Sequence, residues 1–194
     1  MKTTVVLLVL GLCLAACGDE PATTADAFPV PSWAKVAPEQ IAEAKKHGVP
    51  VAFENDLGMR FVLIPAGEAV WGVAADGDDI IRVAQPFYLQ TTEVTAGQFR
   101  RCFPTLKRIG PDSRTEDGAS RERAVTFADW LTRRDGPRTY RLPSRDEWHY
   151  VFFRDASRWA CGDPIVEEIS VFCRDHREWP SCFRLVSPLP EKEE

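Results

Sequence analysis

Three cysteines and a histidine between residues 161 and 182 are the side chains best suited to bind a metal ion. Thiolate sulfur and imidazole nitrogen are ligands that zinc prefers, and a Cys-x-x-His spacing places two of them close together. The alternative is that the cysteines form disulfides while the histidine lies on the surface, and the compartment decides between the two. The four candidates are Cys161, Cys173, His176 and Cys182.

A charged group near residue 145 has the residue types of an acid and base set. It consists of Arg141, Asp146 and Glu147. However, Ser144 followed by Glu147 three residues later is a capping box, which gives the carboxylate a role at a helix start. Arg141 is well placed for a buried salt bridge. We therefore expect these side chains to stabilise the fold, and we predict no catalytic residue.

A short acidic run contains Asp76, Asp78 and Asp79 and invites a calcium site. Calcium loops need a defined spacing of oxygen ligands and a terminal glutamate, and this run has neither. We expect residues 74–79 to form a solvated acidic loop. Calcium is not predicted from these residues.

Two tryptophans lie in segments without a clear period, and these are the binding candidates. Trp159 and Trp179 fall within residues 155–182, where no helical or strand pattern is sustained. An aromatic side chain that remains exposed there could contact a partner. Residues 104–120 are the other long irregular segment, and recognition residues are often carried by such loops.

The N-terminus has the three parts of an export signal. Lys2 is followed by an apolar run at residues 4–12, which is too short to span a bilayer, and then by small residues before Cys17. The pattern resembles a bacterial lipoprotein signal, which implies removal of residues 1–16 and acylation of Cys17. The alternative is an ordinary secretory peptide with a chance cysteine. Either signal implies export, and we expect membrane anchoring, at the outer rather than the inner membrane.

Export determines the expected state of the remaining thiols. An even number of cysteines in an oxidising compartment indicates disulfides, so we predict two of them. Four cysteines allow three pairings, and the sequence does not choose among them. The disulfide candidates are Cys102, Cys161, Cys173 and Cys182.

Composition excludes two broad classes of protein. The chain has 194 residues, of which 44% are hydrophobic and 27% charged, so a packed core is expected rather than disorder. Its formal net charge is −5 and it contains no long basic run, which argues against a nucleic-acid partner.

The residue patterns divide the mature chain into a tether and one domain. Residues 17–36 are rich in Pro, Ala and Thr and predict a flexible tether, and residues 37–194 form the domain. Proline at the start and glycine at the end predict a helix over residues 38–47. Short strands are expected across residues 51–90. Three further helices are predicted to start after Thr95, near Ala124 and after Ser144.

Four stretches in this order resemble the formylglycine-generating enzyme family, also called the sulfatase-modifying factor domain. They are residues 59–72, 87–99, 124–131 and 140–154, of which the run Tyr-Arg-Leu-Pro-Ser-Arg-Asp-Glu-Trp at 140–148 is the most specific. The resemblance implies an α+β fold of the C-type lectin-like kind, with short strands, two to four helices and long irregular loops.

The same resemblance implies copper or calcium as cofactors, but the motifs that carry them in the family are missing. The stretch after Arg154 contains no Gly-Asn-Val-Trp-Glu-Trp run, and the three histidines are far apart in sequence. We therefore expect a shortened, non-catalytic domain that binds an envelope protein or a glycan. The alternative is a copper or non-heme iron oxidase of this family that acts on a thiol substrate.

Overall fold

The structure is a computed structural model, and it describes residues 29–74, 77–107, 110–116, 119–154 and 183–190. Among these residues, five consecutive antiparallel strands are followed by three consecutive helices, so the predicted α+β class is confirmed. In chain order the elements are α1 (Pro38–His47), β1 (Ala52–Glu54), β2 (Arg60–Ile64), β3 (Gly67–Ala74), β4 (Gly77–Val83), β5 (Phe87–Gln90), α2 (Ala96–Cys102), α3 (Arg121–Asp135), α4 (Arg145–Phe153) and β6 (Val186–Pro188).

A four-stranded antiparallel sheet forms the centre of the domain. Its strand order is β1-β2-β5-β6, with Val62 opposite both Ala52 and Leu89, and Leu89 opposite Val186. The strands β2 and β5 are buried along almost their whole length, because helices and loops cover both faces of the sheet. This explains why their sequences read as apolar runs rather than as strict alternation.

A second sheet consists, within the part of the chain that the structure describes, of the hairpin β3–β4. Ala69 pairs with Ile81 on the buried face, which packs against α4, whereas Val70 and Ile80 pair on the exposed face. The alternation of buried and exposed residues is that of a hairpin with one solvent-facing side.

The helix α1 is held to the central sheet by a buried amide. Gln40 is fully buried; its Oε1 accepts a hydrogen bond from the Ala37 backbone at 2.7 Å and its Nε2 donates to the Leu63 carbonyl oxygen at 2.7 Å. Both polar groups of this side chain are therefore satisfied, which removes the cost of burying an amide. The helix ends at Gly48, whose left-handed φ of 67° suits glycine.

The three later helices begin with side-chain caps. Thr95, Ser120 and Ser144 each accept a hydrogen bond from the backbone three residues further on, and two of these caps are completed by Gln98 and Glu147. Such caps satisfy backbone N–H groups that would otherwise lack partners at a helix start. All four predicted helices are present, with α1 at the predicted bounds.

Two boundaries differ from the sequence prediction. The predicted tether 17–36 reaches too far, because Trp33, Ala34 and Val36 pack against the core and the Arg60 guanidinium lies 5.1 Å from the Trp33 ring centroid. The prediction rested on the Pro- and Ala-rich composition of the segment, which gives no sign of these few core-forming side chains. The expected acidic loop is also shorter, since residues 77–79 begin β4. Among the described residues, no helix is long and apolar enough to cross a membrane.

Candidate functional site

The segment 140–148 forms the start of α4 and uses its charged side chains locally. Arg141 donates two hydrogen bonds to the Glu147 carboxylate, at 2.7 and 2.5 Å. Glu147 also accepts from the Ser144 backbone at 2.7 Å, which completes the capping box. The expected salt bridge is therefore present, but it is only partly buried: the Glu147 side chain is 12% exposed and that of Arg141 is 44% exposed.

These contacts determine the protonation of Glu147. Burial acts to raise the pKa of Glu147, but the hydrogen bonds and charge of Arg141, together with the Ser144 contacts, outweigh it and lower the pKa below its ordinary value. A carboxylate held in this way is ionised at neutral pH and is a poor proton donor or acceptor there. The geometry of Arg141 and Glu147 thus supports the predicted role, in which they cap the helix and form a salt bridge.

The other end of α4 is joined to the start of the β3–β4 hairpin. The Tyr150 hydroxyl donates to the Pro65 carbonyl oxygen at 3.0 Å, and the Arg154 guanidinium donates to the Tyr150 oxygen at 2.9 Å. Arg154 also donates to the Glu68 carbonyl oxygen at 3.4 Å. Burial raises the pKa of Tyr150, opposed by the Arg154 charge, so the phenol stays protonated and acts as a hydrogen-bond donor.

Glycine is required where this joint meets the hairpin. Gly67 has φ of 154°, and a side chain there would collide with the guanidinium of Arg154 and lie 2.8 Å from the Tyr150 hydroxyl oxygen. We call Pro65, Gly67, Glu68, Tyr150 and Arg154 the α4 joint. The sequence analysis missed it; the signal available was Tyr150 and Arg154 at an i, i+4 spacing on a predicted helix.

A second joint connects α2, α3 and the C-terminal strand through aromatic packing. The ring centroid of the fully buried Phe99 lies 5.5 Å from that of Phe127 and 5.9 Å from that of Phe183. Phe103 adds a contact to Phe99 at 4.7 Å. We call these four residues the α2–α3 joint; it consists of dispersion and apolar burial, with no ionisable member.

The loop after α2 is bound to the helix that precedes it. The carbonyl oxygens of Arg114 and Asp112 accept from the backbone N–H groups of Ala96 and Gly97, at 2.7 and 2.9 Å. A Cβ at Gly97 would lie 2.8 Å from the Asp112 Cβ, so this close approach needs glycine. Asp112 and Arg114, within the segment 104–120 that we named as a possible recognition loop, therefore cap the start of α2.

The histidine and acidic side chains that the structure describes do not lie together as a metal site. His47 on α1 lies 2.9 Å from the Glu43 carboxylate, whereas His149 on α4 is buried with its ring 6.0 Å from that of Phe153. Within the described residues, no group of three or more His, Cys, Asp or Glu side chains could hold a metal ion. Asp78 and Asp79 belong to the strand β4.

Cys102 is the cysteine candidate that the structure describes. It is a free thiol at the end of α2; burial raises its pKa, opposed by the nearby Arg133 charge. The other cysteine, histidine and tryptophan candidates lie outside the described residues, as do Cys17 and Asp76, so the disulfide, metal and binding predictions for them stay predictions. They are Cys161, Cys173, Cys182, His176, Trp159 and Trp179.

Comparison with protein families now identifies the class of the chain. Residues 46–183 match the family described as sulfatase-modifying factor enzyme 1-like domain, and this match covers more than half of the sequence. The chain therefore belongs to the formylglycine-generating enzyme family, as the resemblance implied. The match includes the whole of the α4 joint and of the α2–α3 joint.

Two other comparisons complete this result. Among solved structures, the chain is similar to that described as the structure of PvdO from Pseudomonas aeruginosa, with 19% sequence identity and a TM-score of 0.41. The alignment covers 56% of this chain and 52% of the other, so this chain spans about half the length of that neighbour. The search of curated proteins found no match.

Proposed function

We propose that this protein is a lipid-anchored bacterial envelope protein whose formylglycine-generating-enzyme-like domain binds a partner and is not a catalyst. In this proposal Cys17 carries the lipid, the outer membrane is the anchoring site, and an envelope protein or a glycan is the partner. The residues that contact this partner lie in the segment 155–182, which includes Trp159 and Trp179.

One observation carries the non-catalytic part of the proposal. Two pairs of ionisable side chains in the family-specific segment at α4 are committed to the fold, with Arg141 bound to Glu147 and Arg154 bound to Tyr150. General acid and base catalysis needs a group whose pKa lies near the working pH and whose proton can reach a substrate. Glu147 is ionised and capped, and Tyr150 is neutral and buried, so neither meets this requirement.

The anchor is tested by radioactive fatty-acid labelling of the full chain in a bacterial host. Cys17→Ser should abolish the labelling, because the acylated sulfur and the processing signal are both lost. Cys13→Ser is the matched control, since it removes a cysteine four positions earlier within the same signal and should leave labelling intact. Labelling that persists in Cys17→Ser refutes lipidation at this residue. Density fractionation of the same membranes tests the outer-membrane assignment.

Catalysis is tested on the purified mature protein by metal analysis and by oxygen uptake with a cysteine-containing peptide. We expect no stoichiometric metal and no oxygen uptake above buffer. Copper or iron at one per chain, together with peptide-dependent oxygen uptake, would overturn the proposal and establish the oxidase alternative. Thiol labelling before and after reduction of the same sample reports whether Cys102, Cys161, Cys173 and Cys182 are paired.

Partner binding is tested by purifying the anchored protein from solubilised envelopes and by sedimentation with isolated peptidoglycan. Trp159→Ala combined with Trp179→Ala should remove the bound partner while leaving thermal unfolding of the domain unchanged. Equal recovery of the same partner with both chains would contradict the placement of binding in this segment.

A further inference from the structure

A basic surface with aromatic residues lies where the ends of α2 and α3 meet. Four exposed cations and two partly buried aromatic side chains belong to these helix ends and to the residues that follow α2. We call this set the basic surface; it consists of Arg101, Phe103, Lys107, Trp130, Arg133 and Arg134. None of these residues belongs to the segment 155–182 that the proposed function assigns to partner binding.

The helical spacing of α3 places three of these side chains on one flank. Trp130, Arg133 and Arg134 stand at i, i+3 and i+4, so they are neighbours on the helix surface. The Arg134 guanidinium lies 5.7 Å from the Trp130 ring centroid, and this ring lies 5.7 Å from that of Phe127 in the core. One side of Trp130 is thus anchored while the rest reaches the protein surface.

The end of α2 supplies the other half of the basic surface. Phe103 packs on Phe99 at 4.7 Å and remains partly exposed, and Arg101 is exposed beside it in the chain. The helices α2 and α3 are in contact, with the Phe99 and Phe127 ring centroids 5.5 Å apart, and the charge of Arg133 opposes the effect of burial on the pKa of Cys102 at the end of α2. The two helix ends therefore present their cations and aromatic rings together.

The charge of this surface differs in sign from that of the whole chain. Arg100 is paired with Asp112 and does not contribute, while Asp129 and Asp135 are the acidic side chains in this part of α3, and Asp135 accepts a hydrogen bond from the Tyr140 hydroxyl. Four cations against Asp129 and Asp135 still leave a local positive excess on a chain whose formal net charge is −5. Arginines near a helix C-terminus also interact favourably with the helix dipole, but this does not account for Lys107 or for the partly buried aromatic rings.

The geometry points to an anionic phospholipid surface as the partner of the basic surface. Lys and Arg around partly exposed Trp and Phe is the composition of protein surfaces that lie at the membrane interface. The cations bind acidic headgroups, while the aromatic rings enter the boundary between headgroups and acyl chains. This inference rests on the proposed lipid anchor, which holds the domain near a bilayer.

The path of the N-terminal chain is consistent with this orientation. Trp33, the residue nearest the anchor that packs on the core, lies on Arg60 of β2. The neighbouring strand β1 also meets the chain just after α3, because the Arg138 guanidinium lies 3.6 Å from the Phe53 ring centroid. A tether of sixteen residues from Cys17, as predicted from the sequence, would have a root-mean-square span of about 20 Å and would keep this side of the domain close to the membrane.

The experiment measures hydrogen exchange of the acylated protein on vesicles. One set of vesicles is phosphatidylcholine and the other is phosphatidylcholine mixed with phosphatidylglycerol. We expect slower exchange in peptides from α2 and the second half of α3 on the anionic vesicles alone, with the protection lost at high salt. Arg133→Gln with Arg134→Gln should weaken this contact by about thirtyfold, since each cation at such a surface contributes about fivefold.

The matched control is Arg121→Gln with Arg123→Gln, which makes the same charge change at the other end of the same helix. It should retain the protection. Equal protection in both double variants, or protection that requires an added protein rather than anionic lipid, overturns the inference. Vesicle association at high salt reports the anchor separately, so loss of the anchor is distinguishable from loss of the contact.

Discussion

The α4 joint and the α2–α3 joint both fix helices to the same core, but they treat charge in opposite ways. At the α4 joint, Arg154 is bound to the Tyr150 hydroxyl and to a hairpin carbonyl oxygen. At the α2–α3 joint, aromatic rings make the contact, and the nearby cations Arg101, Arg133 and Arg134 extend into solvent.

This difference separates side chains that hold the fold from side chains that remain available to a partner. An arginine hydrogen-bonded to a backbone carbonyl oxygen and a phenol, like Arg154, has its donors committed to one local geometry. An exposed arginine contributes little to the free energy of unfolding, because water solvates it in both states. The exposed arginines beside the α2–α3 joint are therefore better candidates for contact with a partner than Arg154 of the α4 joint.

The largest expected effect comes from removing the central ring of the α2–α3 joint. Phe99→Ala deletes a fully buried aromatic side chain that touches three other rings, and it should lower the free energy of unfolding by about 3–5 kcal/mol. Urea denaturation measures the change. Val125→Ala on the exposed side of α3 is the control and should change the value by less than about 0.5 kcal/mol. Similar values for both would show that this joint does not hold α2.

The next effect concerns crowding at the α4 joint. Gly67→Ala should cost about 1–3 kcal/mol, because the added Cβ displaces Arg154 and Tyr150. Gly48→Ala is the matched control: it has a positive φ of 67° but open space around its Cβ, so it reports the backbone cost alone. If thermal unfolding finds Gly67→Ala no worse than Gly48→Ala, the two side chains do not need this close approach.

A smaller, pH-dependent effect is expected at the start of α4. Because the pKa of Glu147 is lower in the folded state than its ordinary value near 4.5, this carboxylate stabilises the protein above that pH, and the contribution is lost as the pH falls through the folded value. Glu147→Gln should lower stability by about 1 kcal/mol at neutral pH and flatten the acid limb of the stability profile. The exposed neighbour variant Asp146→Asn should keep that limb, and an unchanged limb in Glu147→Gln would contradict the assignment.

The smallest effect on stability is expected at the basic surface. Arg133→Gln with Arg134→Gln should change the free energy of unfolding by no more than about 0.5 kcal/mol per substitution, although the same variant weakens the vesicle contact. Urea denaturation measured beside the exchange experiment separates the two properties. A loss of stability as large as that of Phe99→Ala would assign these arginines to the fold rather than to a partner.

Local sequence signals predicted the helices, because their information is short-range. Pro38 and Gly48 bracket α1, and the capping boxes at Thr95 and Ser144 mark two later starts. The α4 joint and the buried Gln40 could not be predicted, since each depends on contacts between residues distant in sequence, such as Tyr150 with Pro65 and Gln40 with Leu63. The family resemblance supplied the fold class that periodicity alone left open.

The position of β6 has a consequence for how the chain is made and exported. The strand β5 in the middle of the sheet pairs with Val186–Pro188, and Phe183 closes the aromatic cluster of α2 and α3. Neither contact can form while a nascent chain has reached only residue 180. A polypeptide that is threaded through a membrane with its N-terminus first, as proposed here, would thus stay loosely folded on the inner side. It would complete its core only after its last strand had crossed.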